Sequence, residues 1–210
     1  MNFTKFQQLL PQLKSAKLPG LDAQFKLAPE IRKRYSEDMI QLKNPKQAGV
    51  LALFYPDVQN ETRFLLTLRA SYNGTHSAQI SFPGGKIEEQ DKNLEQTATR
   101  ETYEEIGITV DSIKVIKEFT DAYIPPSNFL VTPFLGYLDY IPKFISNHEV
   151  AEIIEVKLSD LLDESKLVMR KRDTSYMSNV EVPCFEFGKH IVWGATAMIL
   201  SEIKSTFERL

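Results

Sequence analysis

Gly84-Gly85-Lys86-Ile87-Glu88-Glu89-Gln90-Asp91 is followed, after eight further residues, by Arg100-Glu101-Thr102-Tyr103-Glu104-Glu105-Ile106-Gly107-Ile108. The spacing of Leu94, Ala98, Thr102 (or Tyr103) and Ile106 predicts a helix over 94–106, with Gly107 as its C-terminal stop. At about 100° per residue, Glu101, Glu104 and Glu105 fall at roughly 0°, 300° and 40° on that helix. They share one narrow face. Three carboxylates there offer oxygen ligands to a hard divalent cation, Mg2+ or Mn2+. The competing reading is a solvated acidic face, because like charges at this spacing cost only about 0.2–0.5 kcal/mol. The flanks favour chemistry. Pro83-Gly84-Gly85 opens the segment, and glycine permits the close backbone approach that a strand-to-loop-to-helix phosphate site needs.

On the N-terminal side, Gly49 to Tyr55 and Thr62 to Arg69 are short apolar runs separated by Pro56, Asp57 and Asn60, and they predict two strands joined by a turn. Residues 70–85 carry Ser, Asn, Gly, Thr and Pro and predict a long loop. Phe3, Phe6, Leu9, Leu10 and Leu13 are at helical spacing, with Asn2 as a cap. Pro11 predicts a kink or an early stop, and residues 29–45 a second short helix. On the C-terminal side, strands are predicted near 112–119, 130–139, 151–157 and 180–187, with a short helix starting at Ser159. Trp193, Thr196, Ala197, Leu200, Ile203 and Phe207 predict a final amphipathic helix, with Trp193 in the core. Strands in the middle and helices at the ends make this mixed α/β, not a doubly wound parallel sheet.

The chain has 210 residues, 42% apolar and 25% charged, with 25 basic against 28 acidic side chains. That composition excludes collagen-like, coiled-coil and disordered classes. A formal charge of −3 argues against a dedicated nucleic-acid binder. The single cysteine, Cys184, excludes an intramolecular disulfide and a cysteine-based zinc site, and it is expected as a half-buried strand residue. No apolar run matches a signal peptide or a membrane span, so the expected compartment is cytoplasmic, without a membrane partner.

The acidic segment resembles the Nudix box. That pattern runs Gly, five residues, Glu, seven residues, Arg-Glu, an apolar residue, any residue, Glu-Glu, any residue, Gly and an apolar residue. Gly85, Arg100, Glu101, Glu104, Glu105, Gly107 and Ile108 match it. Asp91 stands at the first Glu, eight residues rather than seven precede Arg100, and Thr102 takes the apolar position. Upstream, Leu65-Leu66-Thr67-Leu68-Arg69-Ala70 through Phe82-Pro83-Gly84-Gly85 is similar to the signature of the coenzyme A diphosphatase branch of the Nudix hydrolases. Gly74 replaces that branch's second Arg, and Ala78 its Gly. The two motifs cover about 45 residues, with weaker similarity at 127–133 and 193–197.

The resemblance implies a Nudix-type α/β/α sandwich with a mixed central sheet, spanning 46–210, and an N-terminal helical arm over 1–45. It implies metal-dependent hydrolysis of CoA or acyl-CoA to 3′,5′-ADP and (acyl-)4′-phosphopantetheine. Another nucleoside diphosphate derivative (ADP-ribose, NADH or a dinucleotide) is the alternative, and a non-catalytic ligand sensor the more distant one. Glu101, Glu104 and Glu105, with the carbonyl of Gly85, are the implied Mg2+ or Mn2+ ligands. Glu149 is the further catalytic carboxylate, with Glu152 as its alternative. Arg69, His76, Gly84 and Gly85 are the implied contacts to a small-molecule nucleotide. Arg100 is expected to pair with a nearby carboxylate and brace the helix, so Arg100, Asp91 and Gly107 are structural. Arg170-Lys171-Arg172 is expected as an exposed hairpin patch. His148 and His190 have no supporting context. The resemblance also admits a homodimer.

Overall fold

Helix α1 (Phe3–Ser15) begins where the sequence places it: the Asn2 side chain accepts the Lys5 amide at 2.9 Å. It does not stop at Pro11, contrary to the expectation above. Its buried side chains Phe3, Phe6 and Leu13 come from both sides of the proline, so one core holds both halves and outweighs the single lost N–H. In this computed structural model, which describes residues 1–30, 32–70, 79–172 and 179–210, the arm continues through α2 (Leu21–Gln24), a 3-10 turn (Arg32–Arg34) and α3 (Glu37–Gln41).

The central sheet is built on β1 (Lys46–Pro56). One side of β1 pairs in parallel with β7 (Phe129–Tyr137), from Lys46 opposite Phe129 to Phe54 opposite Tyr137. The other side pairs antiparallel, first with β4 (Gly84–Lys86) and then with β2 (Thr62–Arg69). Beyond β2 lie β3 (Ile80–Ser81) and β8 (Val150–Lys157). Beyond β7 lie β5 (Lys114–Glu118) and β6 (Ala122–Ile124). After α5 (Leu158–Leu162), β9 (Leu167–Arg172), β10 (Val180–Phe187) and β11 (His190–Val192) form a second, antiparallel sheet.

Alternation along β1 sends side chains to two cores. Leu51, Leu53 and Tyr55 pack under α4 (Leu94–Ile106) with Ala98, Ile106 and Phe134. Ala48, Ala52 and Phe54 face α1 and α6 (Gly194–Phe207). There Phe6 stacks on Phe54 at 5.3 Å between ring centroids and lies 6.1 Å from Phe207. The result is the expected α/β/α sandwich around a mixed sheet. Trp193 is half-buried at the start of α6, not in the core. Cys184 is fully buried rather than half-buried, on the face of β10 that it shares with the buried Val182, opposite Phe185 and Phe187. No helix among the described residues is long and apolar enough to cross a membrane.

Candidate active site

Helix α4 has the bounds its sequence predicts. Asn93 caps its start by accepting the Gln96 amide at 2.8 Å, and Gly107 ends it in the left-handed region at φ 75°. Thr102, at the apolar position of the motif, is fully buried. Its hydroxyl donates to the Ala98 carbonyl at 2.7 Å, which leaves the methyl group to fill the core.

Asp91 and Arg100 lock the loop to the helix. Arg100 Nε and Nη2 each meet one Asp91 oxygen at 2.9 Å, a two-pronged fork. Thr97 Oγ1 and the Glu88 amide also donate to Asp91. The hydrogen bond from Arg100 is the largest of the influences that depress the Asp91 carboxyl, to about 2. The extra residue before Arg100 is taken up ahead of the helix and leaves this fork whole. Arg100 also reaches Glu101 at 3.0 Å and Glu104 at 3.3 Å. Arg100 is thus paired with a nearby carboxylate, Asp91.

The three box glutamates differ in setting. Glu104 is half-exposed and Glu105 is 3% exposed. Glu101 lies against β4: a Cβ on Gly85 would come within 2.3 Å of Glu101 Oε1. A side chain at position 85 would displace that carboxylate from β4. Gly84, at φ 152°, takes a conformation that side chains resist. Its amide acts to lower the Glu105 pKa, against the larger effect of burial.

A second cation closes the far side. Arg69, at the end of β2, reaches Glu105 at 3.4 Å and Glu149 at 3.2 Å. Glu149 is therefore gathered to the helix face, whereas Glu152 is turned to Lys189 at 3.0 Å and His190 at 3.3 Å. A backbone strap sets the position of Glu149. The Ile145 amide donates to Ile106 O at 2.9 Å and the Asn147 amide to Glu105 O at 3.0 Å, satisfying carbonyls that the last helical turn leaves open. His76, with Gly74 and Ala78, lies outside the described residues. His148 is exposed, and Arg170 pairs with Glu186 across the second sheet.

Electrostatics mark the face as incomplete. Burial pushes the Glu105 carboxyl up to about 8; Arg69 opposes this, while Glu101 and Glu149 add to it. Glu101 is likewise raised, first by burial. Glu105 Oε2 is buried without a hydrogen-bond partner among the described residues. Among the described residues the carboxylates do not already converge on one point, because Arg100 and Arg69 hold them in pairs. A buried lone acceptor among like charges, beside a glycine-lined cradle, fits a hard divalent cation.

The periodicity of the sequence did not single out Thr97, Ile145 or Asn147. Thr97 acts through a buried hydrogen bond, and the other two act through backbone amides, which leave no mark on side-chain pattern.

A carboxylate helix face, a Pro-Gly-Gly strand and an Asp–Arg brace stand within residues 83–105, and the NUDIX domain family model matches residues 45–176. The chain belongs to the Nudix family. "Nudix hydrolase 15, mitochondrial" of Arabidopsis thaliana is 34% identical to this Nudix chain over 175 residues, covering 79% of the chain and 60% of the relative. "Peroxisomal coenzyme A diphosphatase ndx-8" of Caenorhabditis elegans is 29% identical over 157 residues, covering 73% of the chain and 65% of the relative. The chain spans less than two thirds of either relative. A MutT/nudix family protein from Enterococcus faecalis has a TM-score of 0.54 at 15% identity, over 85% of this chain and 71% of that one. That likeness is one of fold.

Proposed function

We propose that this Nudix domain hydrolyses the diphosphate bond of a nucleoside diphosphate derivative, with CoA or acyl-CoA as the substrate class. The products are 3′,5′-ADP and (acyl-)4′-phosphopantetheine. The observation that carries the hydrolytic reading is the orphaned, buried Oε2 of Glu105 within a set of four carboxylates. Support for CoA comes from the Leu65–Ala70 and Phe82–Gly85 signature and from the relative named as a coenzyme A diphosphatase.

Glu101, Glu104, Glu105 and the Gly85 carbonyl are the proposed holders of Mg2+ or Mn2+. Bound there, such an ion neutralises diphosphate charge and lowers the pKa of an attacking water. The chain's own residues supply the rest. Asp91 and Arg100 fix the rotation of α4, so the glutamates present one face. Gly84 and Gly85 let the β4 backbone lie close to that face. Glu149, half-exposed at the rim, is placed to accept the proton of the attacking water as one phosphoanhydride P–O bond breaks. Arg69 pairs with both Glu149 and Glu105 and is the proposed contact to an incoming phosphate.

A second reading rests on Gly74, where the branch signature has arginine. Without that cation, ADP-ribose, NADH or a dinucleotide becomes the competing substrate. A non-catalytic sensor is disfavoured because all three box glutamates are in place. The deciding experiment compares kcat/KM for CoA, acetyl-CoA, dephospho-CoA, ADP-ribose, NADH and diadenosine polyphosphates, with Mg2+ and with Mn2+. CoA species leading, with dephospho-CoA well behind, is the expected result. An ADP-ribose or dinucleotide optimum keeps the hydrolase and overturns the substrate. No turnover anywhere favours the sensor.

A further inference from the structure

Arg32 is 4% exposed, yet among the described residues its Nε and Nη1 are buried without a hydrogen-bond partner. Its guanidinium lies 5.3 Å from the ring centroid of Tyr123 and 5.9 Å from that of Phe25. These rings stabilise the cation through their faces, but they give no acceptor to its N–H groups. Burial lowers the Arg32 pKa, and the ionisable groups that act back on it are Tyr123 and Tyr35, not carboxylates. A buried cation left in this state is expensive, so the fold is expected to supply an anion from outside.

The surroundings repeat the pattern. Tyr35 packs edge-on against Tyr123 at 5.4 Å, and Lys43 lies over Tyr35 at 5.7 Å. Lys46 lies over Phe129 at 5.6 Å. Among the described residues neither lysine has an ion-pair partner. Asn128, in the left-handed region at φ 53°, joins these parts. Its side chain accepts from Tyr123 Oη at 3.0 Å and donates to Lys43 O at 2.9 Å, and its carbonyl accepts from the Lys46 amide at 2.9 Å. The adjoining Ser127 hydroxyl is also buried and unpartnered.

We infer that the junction between the 3-10 turn at Arg32 and the β6–β7 hairpin is an anion site that takes a phosphate group. Two orphaned arginine donors call for more than one acceptor oxygen, which a phosphate group supplies, and Lys43 and Lys46 add positive charge along the same junction. The inference stands apart from the diphosphatase reading and uses none of the box residues.

The probe is inorganic phosphate, titrated into the full chain in the presence of a chelator and followed by thermal unfolding and calorimetry. Saturable stabilisation is expected for the wild type, with acetate at equal ionic strength giving none. Arg32→Met abolishes the phosphate response. Where Arg32→Met fails to fold, Lys43→Ala with Lys46→Ala, both at exposed positions, carries the test and weakens phosphate affinity about tenfold. Arg69→Ala keeps the response, which separates this site from the carboxylate face. The inference is overturned if phosphate acts equally on the wild type and these variants, if acetate replaces phosphate, or if Arg69→Ala alone removes the effect.

Discussion

Glu105 and Glu202 are both buried glutamates, at 3% and 0% exposure, and their surroundings are opposite. Glu202, on α6, accepts from the Gly20 amide at 3.2 Å, Gln24 Nε2 at 2.9 Å and Thr120 Oγ1 at 2.6 Å. It joins the N-terminal arm, the last helix and the β5–β6 turn, and each of its oxygens has a partner. Glu105 has like-charged neighbours, one long ion pair to Arg69 and an orphaned oxygen. Burial alone therefore does not mark a functional carboxylate. The unsatisfied acceptor does. Glu202 is finished by the fold, and Glu105 is left for something else to finish.

The largest expected contrast is in turnover. Glu105→Gln lowers kcat about a thousandfold with thermal stability unchanged or raised, because a strained carboxylate becomes a neutral isostere. Glu202→Ala leaves kcat intact and costs about 2–3 kcal/mol of unfolding free energy in urea, since it leaves the Gly20 amide and the Thr120 hydroxyl without their acceptor. Wild-type turnover by Glu105→Gln at saturating Mg2+ removes the distinction between the two sites.

Next comes the response to pH. In chelator, the raised Glu105 pKa means that the folded chain binds more protons than the unfolded one between about 4.5 and 8. Stability is then full below the lower value and falls as pH rises towards the upper one. Glu105→Gln flattens that slope. Asp91 runs the other way. Its depressed pKa contributes about 2 kcal/mol that is present above pH 4 and lost as pH falls towards 2. Asp91→Asn lacks this acid-side loss, and an unchanged acid limb in chemical denaturation contradicts the fork's role.

Smaller effects sharpen the picture at the rim. Arg69→Ala raises KM more than it lowers kcat if this arginine meets the substrate; a pure kcat loss assigns it to positioning Glu105 and Glu149. Glu152→Gln, which loosens a surface pair with Lys189 and His190, leaves stability unchanged and alters turnover by less than about twofold.

What was legible in the sequence depended on local signals. Asn93 and Gly107 bracket α4, and apolar runs predict β1, β2, β7, β8 and β10 within a few residues. Strand β4 begins inside the stretch that the composition predicts as loop, because Gly84-Gly85 has no alternating pattern and its pairing is supplied by β1. The arc of Glu101, Glu104 and Glu105 is fixed by helical geometry. Which of them is buried is decided by β4 and Arg69, brought in by long-range pairing. Arg32 left no trace either, since its aromatic walls come from residues 25 and 123.

The Glu202 junction also has a consequence in time. Its donors at Gly20 and Gln24 lie about 180 residues before their acceptor in the chain. During synthesis neither can reach Glu202 until the last helix has left the ribosome, although Gln24 Nε2 can already donate to the Thr120 carbonyl. The sheet, by contrast, can pair β1 with β7 once residue 137 is free. Contacts of such long sequence separation form slowly. Closure of this clasp is thus expected as the final step of folding, and Glu202→Ala is expected to speed unfolding while leaving refolding of the sheet at its own rate, as double-jump kinetics would show.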